Sequence, residues 1–263
     1  MVFFHLFIFG LVIGSFLNCV IYRLALPNFS LKNLGGLKNR SYCPHCKHSL
    51  NWKDLIPIFS FLILRGKCRY CKKKISWQYS LVELATGLLF VLILWHSIYD
   101  LRFMIYELII SSFLIIIFVY DLKHFIIPDR IIYPAIFIVL GFRAWDLIGH
   151  WALGFGIFNP FISAFAASAF FLLIVLVSRG KWMGVGDIKL AFFMGLFLGF
   201  PNILVALFFA FLIGGIIGVG LILAKIKTLK SEVPFGPFLV TATFIALFWG
   251  EKIIFWYLTL IGF

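Results

Sequence analysis

The sequence predicts an all-α protein, a polytopic membrane bundle of about eight transmembrane helices broken by one polar, cysteine-bearing segment. Two observations set the class. Hydrophobic residues make up 63% of the 263 positions and mean hydropathy is +1.09, more apolar surface than a soluble domain can hide. The apolar residues also fall into runs of near-spanning length, and runs this continuous satisfy their backbone in lipid as helices. A third observation orients the bundle: 20 of the 23 Lys and Arg fall in gaps that alternate to one side.

The runs are 3–22, 81–98, 103–120, 131–149, 161–177, 188–200, 203–224 and 238–250, the sixth and eighth being short. The first lacks a basic start and a small-residue cleavage site, and carries Asn18 and Arg23 at its far end. It reads as a retained helix rather than a signal peptide. Residues 23–80 follow, polar, basic and rich in turns. The expected organisation is therefore a first transmembrane helix over 1–22, a small segment over 23–80, and a bundle over 81–263. Gly10/Gly14, Gly195/Gly199 and Gly214/Gly218 put small residues one turn apart, which permits close helix contact. Trp95, Tyr99, Trp145, Trp151 and Trp256 sit near run ends, as interfacial anchors do.

The basic gaps are 23–79, 121–130, 178–189 and 225–236; only Arg102, Arg143 and Lys252 lie elsewhere. The positive-inside rule makes that face cytoplasmic and puts both termini outside. The net charge of +13 follows from topology and anionic headgroups, and needs no nucleic-acid partner.

Four of the five cysteines form Cys43-Pro-His-Cys46 and Cys68-Arg-Tyr-Cys71, with 21 residues between the pairs. Two such knuckles read as a zinc-ribbon-like segment binding Zn2+ through four thiolates, with a disulfide or redox pair as the alternative. A cytoplasmic setting favours the metal. A site filled by four sulfurs is structural, and it organises a segment too poor in apolar residues to build its own core. Cys19 reads as a packing residue.

Two carboxylates stand where helices should meet water. Asp121 ends the third run and Asp187 closes Gly184-Val-Gly-Asp before the sixth. Intramembrane carboxylates are costly and are functional candidates by default. The topology brings both to the cytoplasmic edge of the bundle. There a close pair would share a proton and activate water against an amide, one as base and one as acid. A helix-capping role competes for Asp187, and a solvated helix end beside Lys123 competes for Asp121. Asp129 reads as the cap of the fourth run. Glu83 should face the bundle.

At these residues the chain resembles the type IV prepilin peptidases, the prepilin leader peptidase/N-methyltransferases. The likeness is carried by 14–24 (Gly-Ser-Phe-Leu-Asn-Cys-Val-Ile-Tyr-Arg-Leu), the two cysteine pairs around 52–57 (Trp-Lys-Asp-Leu-Ile-Pro) and Gly66-Lys67-Cys68. It continues through 81–85 (Leu-Val-Glu-Leu-Ala), Asp121 with Ile127-Pro-Asp129, 184–189 (Gly-Val-Gly-Asp-Ile-Lys) and 234–237 (Pro-Phe-Gly-Pro). The resemblance implies a bacterial inner-membrane aspartic peptidase with Asp121 and Asp187 catalytic. It would remove the basic leader of prepilins or pseudopilins, then methylate the new N-terminal residue from S-adenosylmethionine. Gly66 and Lys67 are weak candidates for the methyl-donor site, beside a plain reading as the turn between knuckles. Asp54, Asp129 and Glu232 are loose candidates for holding the leader. Gln78-Tyr79-Ser80 departs from the Arg-Tyr-Pro of many relatives and leaves the peptidase motifs untouched. A presenilin-like intramembrane protease, a proton-coupled transporter with a carboxylate relay and a non-catalytic prepilin-binding factor are the alternatives.

Overall fold

The computed structural model describes residues 1–26, 41–149 (backbone only from 146), 158–226, 228 and 233–262. Trp151, Glu232 and stretch 27–40 of the basic segment lie outside them. Nine α-helices run through the described residues: α1 (Val2–Leu24), α2 (Phe59–Ile63), α3 (Trp77–His96), α4 (Leu101–His124), α5 (Asp129–Gly149), α6 (Asn159–Ser178), α7 (Val185–Leu198), α8 (Asn202–Leu223) and α9 (Gly236–Ile261). All but α2 correspond to the eight apolar runs.

Six of them, α1, α3, α4, α6, α8 and α9, are long and apolar enough to cross a membrane. Two of the eight expected spans fall short of that description. The α5 sequence carries Asp129, Arg130 and Arg143, and α7 has 14 residues, about 21 Å against a hydrocarbon core of about 30 Å. In contrast, α9 runs eleven residues past the expected end at 250. Glu251 and Lys252 are exposed and helix-compatible, and the apolar pattern resumes behind them.

The chain forms two compact units, Met1–Ile116 and Ile117–Phe263, the division falling inside α4. In the first, α1 packs on α3 through small residues. A Cβ on Gly10 would stand 2.8 Å from Gly87 Cα, and one on Gly14 would stand 2.7 Å from Glu83 Cα. Glu83 is buried as expected. Its Oε2 accepts the Ile58 amide at 2.8 Å, tying the cysteine segment to α3.

In the second unit α7 is the centre. It packs against α5, α6 and α9, and Leu190, Ala191, Phe193, Met194 and Leu196 are fully buried. A Cβ on Gly195 would run into the Ala164 backbone of α6, so this glycine sets the α6–α7 approach. A Cβ on Gly214 would stand 3.0 Å from the Phe238 ring of α9. Gly199 and Gly218 do not act so: Gly199 ends α7 with φ +69°, and nothing lies within 4 Å of a Cβ on Gly218.

Because α7 is short, its last carbonyls end where water is scarce, and orphan carbonyls there need donors. Arg143 of α5 supplies them, Nη2 to Phe197 O at 2.7 Å and Nε to Leu196 O at 3.2 Å. The Asn159 side chain holds both the amide and the carbonyl of Phe200, at 2.6 and 2.8 Å.

Candidate active site and metal centre

Asp121 sits in the last turn of α4, so the apolar helix packs Val119 and Ile117 into the core and leaves this carboxylate at its end. It is only 4% exposed. The Gly236 amide, at the first position of α9, donates to Asp121 Oδ2 at 3.1 Å. A Cβ on residue 236 would lie 2.5 Å from that oxygen, so glycine is what admits the carboxylate. Pro237 follows at a position where the missing N–H costs the helix nothing.

Asp187 is the third residue of α7, 8% exposed, and its Oδ2 accepts the Gly184 amide at 3.1 Å. The capping role expected as a rival is thus present, and the same bond orients the carboxylate. Asp121 and Asp187 are both buried, one in the last turn of α4 and one in the first turn of α7. The helix ends that carry them, 66 positions apart in sequence, are neighbours: Ile127, just past α4, lies against Gly186 at the start of α7. Gly184 is extended, φ −84° and ψ 157°, and Gly186 is helical, so neither supplies a left-handed bend. Gly186 instead admits Ile127, whose Cβ would be 3.1 Å from a Cβ there.

Asp129 does not cap α5 as predicted. It is the first helical residue, and its Oδ1 pairs with Lys189 Nζ at 2.6 Å, two positions after Asp187. That ion pair and Arg143 fasten α7 to α5 at both ends.

In the cysteine segment each knuckle repeats the other. The amide of Cys43 donates to His48 O and that of Cys68 to Lys73 O, at 3.0 and 2.8 Å. Lys47 and Lys72 take left-handed φ of 57° and 59°, and single bridges join Tyr42 to Ser49 and Lys67 to Lys74. The four sulfurs of Cys43, Cys46, Cys68 and Cys71 lie within 4.8 Å of one another, Cys43 and Cys71 at 3.9 Å. A tetrahedral thiolate-bound divalent ion with bonds of about 2.3 Å puts sulfurs about 3.8 Å apart, so the donors fit a metal ion. Burial opposes ionisation of Cys43, but the amides of Cys46 and His45 outweigh it and bring the thiol down to about 7. A disulfide geometry, with sulfurs near 2 Å, is not what the knuckles present.

Asp54 belongs to this fold rather than to a leader-binding surface. Its side chain is 3% exposed, takes Arg69 Nε at 2.7 Å and Tyr70 Oη at 3.3 Å, and so ties the second knuckle to the Trp52–Asp54 turn. Gly66, φ +66°, closes α2 with its amide on Phe61 O, and its carbonyl accepts the Ile75 amide, the geometry of a turn. Lys67 pairs with Lys74 across the second knuckle. Sequence reasoning missed Gly236 and Arg143. Gly236 lies within the Pro-Phe-Gly-Pro motif, whose proximity to Asp121 no spacing rule gives, whereas Arg143, a lone arginine inside an apolar run, was a signal in plain view.

Such a chain is a multi-pass membrane protein with two buried carboxylates on neighbouring helix ends and a cluster of four cysteines that fits a metal ion. Its residues 8–97 match the bacterial peptidase A24 N-terminal domain, and 108–219 match the type IV leader peptidase family. The chain belongs to that family. Proteins named prepilin leader peptidase/N-methyltransferase are 32% identical to it in Aeromonas hydrophila, over 96% of this chain and 92% of theirs. Those of Pseudomonas aeruginosa and Bacillus subtilis are also 32% identical, covering 97% and 96% of this chain and 92% and 96% of their own. No solved structure matches the chain.

Proposed function

We propose that this protein is a membrane aspartic endopeptidase that removes the leader of type IV prepilins or pseudopilins at the cytoplasmic face, and then methylates the new N-terminus. The reading is supported by Asp121 and Asp187 on neighbouring helix ends, each buried and each oriented through Oδ2 by a backbone amide, in a chain of this family. In this reading the two carboxylates share one proton. The ionised one takes a proton from water, and the hydroxyl oxygen bonds to the scissile carbonyl carbon. The protonated one gives its proton to the carbonyl oxygen. When the tetrahedral adduct collapses, the C–N bond breaks and the amine leaves with a proton returned from the pair.

The basic gaps support placing this edge at the cytoplasmic side of a bacterial inner membrane. Zinc held by Cys43, Cys46, Cys68 and Cys71 would be structural, fixing the two knuckles and leaving no open position for catalysis. S-adenosylmethionine would supply the methyl group to the new α-amine. The turn geometry of Gly66 and Lys67 gives them no special claim on it.

The test is incubation of the purified protein with a prepilin and S-adenosylmethionine, followed by product masses. Loss of the leader and gain of one methyl is expected. An unchanged prepilin refutes the reading, and cleavage without methylation refutes its second half.

A further inference from the structure

Away from the carboxylates, α6 and α8 enclose a cavity of about 580 Å³ in the second unit. Of its lining only Asn159 and Ser163 are polar. Asn159 is taken up by the Phe200 backbone, and the Ser163 hydroxyl donates to Asn159 O at 2.7 Å. Everything else that a visitor could touch is apolar, including Phe170, Leu204 and Phe208, which are 45%, 54% and 63% exposed.

One end of the cavity lies near the carboxylate site. At its inner end Phe170 meets Phe211 ring to ring at 6.0 Å, and Phe211 meets Phe235 at 5.2 Å. The backbone one residue on from Phe235 is the Gly236 amide that holds Asp121. A seam of aromatic rings therefore leads from the groove to the reacting centre, within one unit of the fold. On α6 the groove runs from Asn159 to Phe170, about 17 Å at 1.5 Å per residue.

From this we infer that the α6–α8 groove seats the apolar helix of the substrate that continues beyond the scissile bond. The inference rests on the peptidase reading and deepens it. On the peptidase reading, the substrate chain beyond the scissile bond continues into the same bilayer. There an extended chain would leave its amides unpaired, so the continuation is a helix with an apolar surface. The groove offers an apolar wall of matching character at one end of the seam, and the carboxylates stand at the other. Lipid tails are the competing occupant, and they would show no link to substrate.

The experiment places p-benzoylphenylalanine at Phe208 or Phe170, and at Phe137 and Phe255 as controls, which are 70% and 71% exposed on α5 and α9. Each replacement keeps an aromatic ring, so the fold is preserved. The Asp187→Asn background keeps a prepilin whole in lipid nanodiscs. Photolysis is expected to crosslink prepilin from positions 208 and 170 at least fivefold more than from 137 and 255. Equal yields, or adducts to lipid alone, overturn the groove. Filling it with Ala166→Trp or Leu207→Trp should raise KM for prepilin about tenfold with kcat within about twofold, a loss of uniform binding. An unchanged KM overturns it equally. Wild-type protein that leaves prepilin whole refutes the peptidase reading itself and takes the groove with it. Cleavage by wild type with unselective crosslinks refutes the groove alone.

Discussion

Replacing Gly236 by alanine asks a helix start to choose between its own preference and the Asp121 carboxylate. A Cβ there would stand 2.5 Å from Asp121 Oδ2 and 3.1 Å from its Cγ. Ordinary contact needs about 3.5 Å, so the carboxylate must retreat by about 1 Å. Retreat breaks the 3.1 Å bond from the Gly236 amide. Hydrogen bonds to a charged group are worth about 1.5–3 kcal/mol, and every 1.4 kcal/mol is about tenfold, so kcat for leader cleavage should fall about 10- to 150-fold. Helix propensity alone predicts the opposite, since alanine gains up to about 1 kcal/mol over glycine. The assay is prepilin turnover by mass spectrometry alongside a thermal melt of the same preparation. A variant that cleaves within about threefold of wild type would refute the reasoning that this glycine exists to admit Asp121.

Other consequences follow from the same contacts. Lys189→Met or Asp129→Asn should lower turnover less than about fivefold, because a pair this exposed is worth no more than about 1 kcal/mol, and steady-state kinetics will tell. Cys43→Ser or Cys68→Ser should abolish the roughly one zinc per chain that elemental analysis of wild type is expected to find. Burial would raise the Asp54 carboxyl, but the hydrogen bond from Arg69 outweighs it and holds the group below its ordinary value. Its stabilisation is therefore full above that value and disappears as pH falls through the lowered one. The stability gap between wild type and Asp54→Asn, measured by denaturant titration of the whole protein, should close only in acid.

Much of this architecture was readable in residue type and spacing. The eight apolar runs, the cysteine pairs and Asp121 and Asp187 needed only hydropathy, ligand spacing and the cost of a carboxylate at membrane depth. Local patterns erred where tertiary partners intervene. Asp129 has the position of a cap, yet Lys189 draws its side chain across to α7. Asp54 reads as an exposed acid until Arg69 and Tyr70 close over it. Gly199 and Gly218 share the spacing of packing glycines, but only Gly195 and Gly214 of their pairs meet a neighbouring helix closer than ordinary contact. The Gly236–Asp121 bond joins residues 115 positions apart, and no local period encodes such a meeting.

The central claim is that one carboxylate from α4 and one from α7 act together. Prepilin processing by wild type, Asp121→Ala and Asp187→Ala, read as product mass, tests it most directly. The account predicts leader loss in wild type and in neither variant. Cleavage that persists in both would contradict it.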